Sequence, residues 1–389
     1  MTHIEKNYER YLGKQIEIAE IPAPPFKEEK RGRFMASEFK RIGLQDVHTD
    51  KIGNVLGWRR GSSDRTLVIS AHIDTVFPEG SDVTVKREGH RLIGKGLVDD
   101  SLGLMGLLAL PEVLDAANIK TELNLLFVAT VGEEGLGDLR GVKYLFEKGP
   151  LKNRIDAFIS IDLADPQEIT NGALGSKRYR ITVKGVGGHS WEDFGRVNPA
   201  HALGQIIANF TSKTTSTDPK TSYNIGRIGG GTSVNSIPFE AWMEVDMRSA
   251  NREALKTLEQ VFLKSVREGI AVENKFRSSS KSKLEVEIEA IGDRPSGTTL
   301  ESDALVRAAV WATKGVNLKP KLIMRSTDSN IPISKGIPAI TVGGGGKAGN
   351  LHSPNEWYNP TNAHLGLQRI LLLVMYYDEM KIPSTAGVR

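Results

Sequence analysis

Ser70-Ala71-His72-Ile73-Asp74-Thr75 places a histidine and a carboxylate where an apolar run, Thr66 to Ile69, comes to an end. That run is short and rich in β-branched residues, so it reads as a buried strand. Leu123 to Thr130 is a second such run and leads into Gly132-Glu133-Glu134-Gly135, while Ala157 to Ile161 ends in Asp162. Gly94 to Gly103 brings two adjacent acids, Asp99 and Asp100, to the start of a helical stretch. Strands that deliver a His or a carboxylate at their carboxyl ends build a site on that edge of an α/β sheet. Histidine and carboxylates without cysteine suit zinc, with cobalt or manganese as alternatives. Taken singly, each motif has an ordinary reading: a hydrogen-bonded His-x-Asp loop, a solvated Glu-Glu pair, a helix N-cap at Asp99-Asp100. Their shared placement at strand ends and helix starts, outside any charge run, sets them apart.

The elements that must position these groups follow from the pattern along the chain. Residues 5–20 and 27–42 read as amphipathic helices separated by the stiff break Ile21-Pro22-Ala23-Pro24-Pro25. Two short strands are expected between Asp46 and Arg59, and a helix over 101–116 begins at the paired acids. After Asp162 the character changes. An alternating strand over 178–184, a helix opened by Asn198-Pro199, strands over 221–228 and 239–247, a helix over 251–268, a polar Lys/Ser loop at 275–283 and a strand over 284–290 give the order β-α-β-β-α-β of a ferredoxin-like module. The chain then returns with a helix over 300–313, strands over 320–324 and 338–342, the Ser326-Thr327-Asp328 turn, the glycine loop Gly343 to Gly346 and a last helix from about 362. The expected organisation is a mixed-sheet α/β catalytic domain in two parts, 1–174 and 292–389, with an α+β module inserted at 175–291.

Composition narrows the class. With 389 residues, 39% hydrophobic and 25% charged, the chain is an ordinary globular protein long enough for two cores. A formal charge of +4 is too small and too dispersed to argue for nucleic acid. No cysteine means no disulfide framework and no thiolate chemistry. No apolar run reaches membrane-spanning length, and the N-terminal stretch lacks the apolar core of a secretory signal, so a cytoplasmic protein is expected.

The blocks SAHIDTV, GKGLVDDSLG, GEEG, SID and LHSPNE, in this order over nearly the whole chain, resemble the di-zinc peptidase and deacylase family. That family includes peptidase T, glutamate carboxypeptidase, aminoacylase-1, acetylornithine deacetylase and succinyl-diaminopimelate desuccinylase. Many members carry Asp-Asp-Lys or Asp-Met-Lys where this chain has Asp99-Asp100-Ser101, a departure that removes no ligand. The resemblance implies Asp99 as the carboxylate bridging two zinc ions, His72 and Asp162 on one metal, and Glu134 and His352 on the other. It implies Glu133 as the general base and Asp74 as the acceptor that fixes the His72 tautomer.

For the inserted module the resemblance implies a lid that also makes a homodimer, with His189 reaching the oxyanion of the neighbouring subunit. Asn235 and Arg248 would contact substrate there; a salt bridge within the lid is the other reading of Arg248. Gly344, in the glycine loop, would offer backbone N–H to substrate, unless the loop is flexible surface. Asp162, where other members carry Glu, points to an aminopeptidase or dipeptidase acting on small peptides. An N-acyl amino acid deacylase or a carboxypeptidase is the alternative. A catalytically silent binding protein on the same fold would be expected to have lost ligands, and none is missing.

Overall fold

The computed structural model describes residues 1–276 and 282–380. The middle of the expected polar loop at 275–283 therefore lies outside the described residues. The chain forms two compact units, one from Met1–Ala173 together with the chain from Thr298 onward, the other Leu174–Gly297.

The first unit is built on a mixed sheet. Its strands run in the order Gln45–Thr49, Val55–Arg59, Asn124–Thr130, Thr66–His72, Ala157–Ile161, Ala339–Val342 and Glu168–Ala173. Thr66–His72 pairs in parallel with both Asn124–Thr130 and Ala157–Ile161, and Ala339–Val342 extends the parallel centre. Val55–Arg59 adds an antiparallel neighbour on one side. Leu67, Ile69, Leu125 and Phe127 face one core, while Val68, Leu126, Val128 and Phe158 face a second core on the opposite side. Because both faces are covered, the strands read as continuous apolar runs and not as an alternation. Their shared direction brings the ends of three strands, at His72, Thr130 and Ile161, to one edge.

The helices Thr2–Ala19, Glu29–Arg41, Ser101–Ala116, Ala304–Gly315 and His364–Glu379 contribute to the first core. Ser101–Ala116 is buried on nearly every side, from Leu102 through Leu114, because it packs against the strands and against the first and last of these helices. Asp100 caps it, its Oδ1 accepting the Gly103 N–H at 3.0 Å. Gly103 is required there: a Cβ would lie 2.4 Å from the Ile161 carbonyl oxygen. The helix start therefore sits directly against the strand that ends in Asp162.

The second unit is a four-stranded antiparallel sheet in the order Thr221–Gly230, Glu240–Ser249, Gly175–Lys184, Glu285–Arg294. The helices Pro199–Thr211 and Arg252–Phe276 cover one face, with Ile181, Val183, Met243, Val245, Ile206, Phe210 and Phe262 in the core. Its last strand runs through Arg294 and its second helix to Phe276, both past the expected ends. On the uncovered face the alternation exposes a ladder of ion pairs, Arg178 with Asp246 at 2.9 Å and Arg180 with Glu244 at 2.7 Å. No helix among the described residues is long and apolar enough to cross a membrane.

Candidate metal centre

His72 is the last residue of its strand, and its backbone N–H donates to Asp100 Oδ2 at 2.9 Å. With Gly103 on the other oxygen, both oxygens of Asp100 are occupied by backbone donors. Its neighbour Asp99 points the other way. Asp99 Oδ1 lies 2.8 Å from His72 Nε2, and Oδ2 lies 2.9 Å from His352 Nε2. One carboxylate thus offers one oxygen to each histidine, the arrangement that a bridging ligand needs. His352 Nε2 is also 3.0 Å from Glu134 Oε1. Three groups of donor atoms come within ligating range of one another: Asp99 with Glu134 and His352, His72 with Asp100 and Asp162, and His72 with Glu133 and Glu134.

The electrostatics of the cluster match a cation site. Burial pushes the carboxyls of Asp162 and Asp100 well above the usual range, and Glu134, also facing Asp99, rises to about 7. Burial pushes Asp99 up as well, but hydrogen bonds from His352 and His72 outweigh it and hold Asp99 low. Asp99 and Glu134 together raise His352 to about 11. Buried anions pressed together this way either stay protonated or need cations beside them. Asp162 Oδ1 is buried without a hydrogen-bond partner, and His72 Nε2 and Asp99 Oδ1 have only each other, which fits metal-ligating atoms better than structural ones among the described residues. The donor set of imidazole and carboxylate suits zinc, cobalt or manganese.

Asp74 differs from its expected contact. The His72 Nδ1–H donates to the backbone carbonyl of Asp74 at 2.9 Å, and the carboxylate stands off at 3.7 Å. A carbonyl can only accept, so Nδ1 keeps its proton and Nε2 faces the cluster. The Asp74 carboxylate instead accepts the backbone N–H of Glu133 at 2.9 Å and of Glu134 at 2.8 Å, which fixes the pair of glutamates.

Gly344 requires a correction. Its N–H is taken by the Leu163 carbonyl at 2.8 Å, so it is not available to substrate. A Cβ at Gly344 would lie 2.6 Å from Leu102 Cγ, so the glycine serves close packing of the loop against the central helix.

In the second unit, His189 is exposed and its Nδ1 accepts from the N–H groups of Trp191 and Glu192, both at 3.3 Å. That leaves Nε2 to carry the proton of a neutral ring. Asn235 Oδ1 accepts from Ser233 Oγ at 2.6 Å, orienting its amide. Arg248 Nε donates to Asp246 at 2.6 Å, so a salt bridge within the unit does form, and its side chain stays partly exposed.

Sequence reasoning missed Arg31 and Arg369. Arg31 is fully buried and donates to the carbonyls of Ile21, Ile73 and Ala19, and its charge interacts with Asp74 and Asp100. Arg369 holds the Gly343 carbonyl at 2.8 Å. Neither carries a local signal, because an arginine on a helix reads as surface until its neighbours are known.

Histidine and carboxylates gathered at the carboxyl edge of a mixed sheet define a metallohydrolase. The model of Peptidase family M20/M25/M40 matches residues 68–376, and the chain belongs to that family of hydrolytic enzymes. It is 25% identical over 377 residues to the uncharacterized protein YqjE of Bacillus subtilis strain 168, covering 90% of this chain and 93% of YqjE. Its fold is similar to that of the aminopeptidase PepT from Bacillus cereus, with a TM-score of 0.75 at 20% identity over 95% of this chain and 98% of PepT. It is also similar to Bacillus subtilis YxeP, a dinuclear metal binding peptidase of the M20 family, with a TM-score of 0.67 at 17% identity over 95% and 98% of the two chains.

If Asp99 bridges two cations, Asp99→Ala should weaken the binding of both, whereas Asp100→Asn should still bind two. Elemental analysis of gel-filtered protein checks this; two tightly held metals in Asp99→Ala would move the bridge to Asp100.

Proposed function

We propose that this chain is a dinuclear metal-dependent aminopeptidase or dipeptidase that hydrolyses the amide bond of small peptides, with zinc as the metal. The observation that carries the reading is Asp99, one buried carboxylate with an oxygen on each of two histidines. His72 and Asp162 would hold one cation, Glu134 and His352 the other. Two divalent cations, when bound there, activate water at neutral pH and polarise the scissile carbonyl. Glu133, fixed through its backbone by Asp74, takes the proton of the attacking water and delivers it to the leaving amine. His189 donates from Nε2 to the developing oxyanion, a role supported by the acceptor role of its Nδ1. Asn235 and Arg248 orient the substrate, Arg248 through the nitrogens that Asp246 leaves open to a carboxylate. The second unit is then a lid domain, and the same proposal has it pair two subunits so that His189 serves its neighbour's site. Asp162 directs the choice toward peptides with a free amino terminus.

Glu133→Gln should lower kcat by roughly 10²- to 10⁴-fold while two metals remain bound. Metal analysis beside kinetics separates a lost base from a lost ligand. On a panel of dipeptides, tripeptides and N-acyl amino acids read by mass spectrometry, the free peptides should be cleaved faster. Faster cleavage of the N-acyl compounds would assign the chain to deacylation instead.

Mixing His189→Ala with Glu133→Gln tests the partner role. Random exchange makes about half the dimers mixed, and a histidine acting across the interface leaves one intact site in each. Activity should then recover to roughly a quarter of wild type. No recovery, with exchange verified by native mass spectrometry, would refute the trans arrangement.

A further inference from the structure

Glu356, in the segment that carries His352, is completely buried, yet among the described residues no Lys, Arg or His side chain pairs with it. Its Oε1 accepts the Val98 N–H at 2.8 Å and its Oε2 the Gly96 N–H at 3.3 Å, and the Asp99 backbone N–H also faces the carboxylate. The Glu356 carbonyl accepts the N–H of Gly94 at 3.0 Å. One residue therefore meets four backbone donors between Gly94 and Asp99. A buried carboxylate without a cation is a costly way to staple a loop unless its two oxygens are both needed, since each can take more than one donor.

The other end of the link is short. A turn joins His352 to Glu356, with Ser353 N–H on the Asn350 carbonyl at 3.2 Å and Glu356 N–H on the Ser353 carbonyl at 3.1 Å. His352 itself sits in the left-handed region at φ 62 and reaches Asp99 Oδ2 at 2.9 Å. Asp99 and His352 are thus held together twice, once through their own side chains and once through Glu356.

We propose that Glu356 is a positioning residue of the metal pair: by pinning the Gly94–Asp99 loop to the His352 turn, it sets where the bridging carboxylate lies relative to His352. The proposal rests on the dinuclear reading above. Its action would fall mainly on the cation that Asp99, Glu134 and His352 would hold, since it fixes both Asp99 and the His352 turn, and less on the other, whose His72 and Asp100 are fixed by hydrogen bonds that do not pass through Glu356. Glu356→Gln keeps the size of the side chain but turns an NH2 toward at least one backbone donor.

The test uses full-length protein, stripped of metal and titrated with Zn2+ in competition with a chromogenic chelator, together with the visible spectrum of the Co2+-loaded form. In Glu356→Gln, one of the two metals should bind about 10- to 100-fold more weakly, the second should be weakened less, and the Co2+ spectrum should shift. The value of kcat should fall more than KM rises. Glu356→Asp, which keeps the charge, should lie between the two proteins. Wild-type affinity for both metals in a folded Glu356→Gln, even with a lower Tm, would reduce Glu356 to a loop staple and overturn the proposal. Should Glu356→Gln fail to fold, wild-type affinity in Glu356→Asp would overturn it equally. If the wild type itself bound fewer than two metals, the dinuclear reading would fail instead.

Discussion

Anions crowd one edge of the central sheet. Asp74, Glu133, Glu134 and Asp162 are buried within a few residues of strand ends, Asp99 and Asp100 are buried at a helix start, and Asp328 and Glu356 are buried too. A buried carboxylate that is neither hydrogen-bonded nor paired costs several kcal/mol, so this edge cannot be stable by packing alone. Backbone N–H groups answer part of that demand, at Asp74, Asp100 and Glu356. Arg31, fully buried and donating to backbone carbonyls, supplies positive charge that acts on Asp74 and Asp100. Among the described residues, Asp99, Glu134 and Asp162 have no such backbone donors, and they are the ones for which cations are the natural counterpart.

The acids therefore divide by what surrounds them and not by type. Asp99 and Asp100 are chain neighbours with opposite tasks. One faces two imidazoles, while the other caps a helix and holds the His72 backbone. Glu133 and Glu134 have their backbones fixed by a single Asp74 carboxylate, which lets their side chains take separate roles without separate supports. A site built this way is tied together: the ends of two strands, a helix start and a turn share the same few hydrogen bonds.

The second unit follows a different logic. Its uncovered sheet face is a ladder of ion pairs, where Arg178 and Arg248 share Asp246, and Arg180 and Arg227 share Glu244. Partly exposed pairs of this kind add modest stability. At one end of the unit, the His189 loop is tied to the Asn235 segment by pairing of Gly188–His189 with Ser236–Ile237.

Much of this was legible in the chain itself. Strands buried on both faces announce themselves as apolar runs, and a His or carboxylate at the end of such a run stands out because a buried strand has no other use for it. The β-α-β-β-α-β order was equally plain, since alternation along Glu240–Ser249 and helical stripes are local patterns. What remained hidden was every question of orientation. Whether Asp74 meets His72 through its carboxylate or its carbonyl, and whether Gly344 offers its N–H to a ligand or spends it on Leu163, are decided by segments far apart in sequence. Arg31, Arg369 and Glu356 belong to the same class, as their partners are backbone groups that no residue pattern encodes. Sequence determines which groups can reach the sheet edge; only the packed chain, by using up some donors and acceptors and leaving others bare, determines which of them can do chemistry.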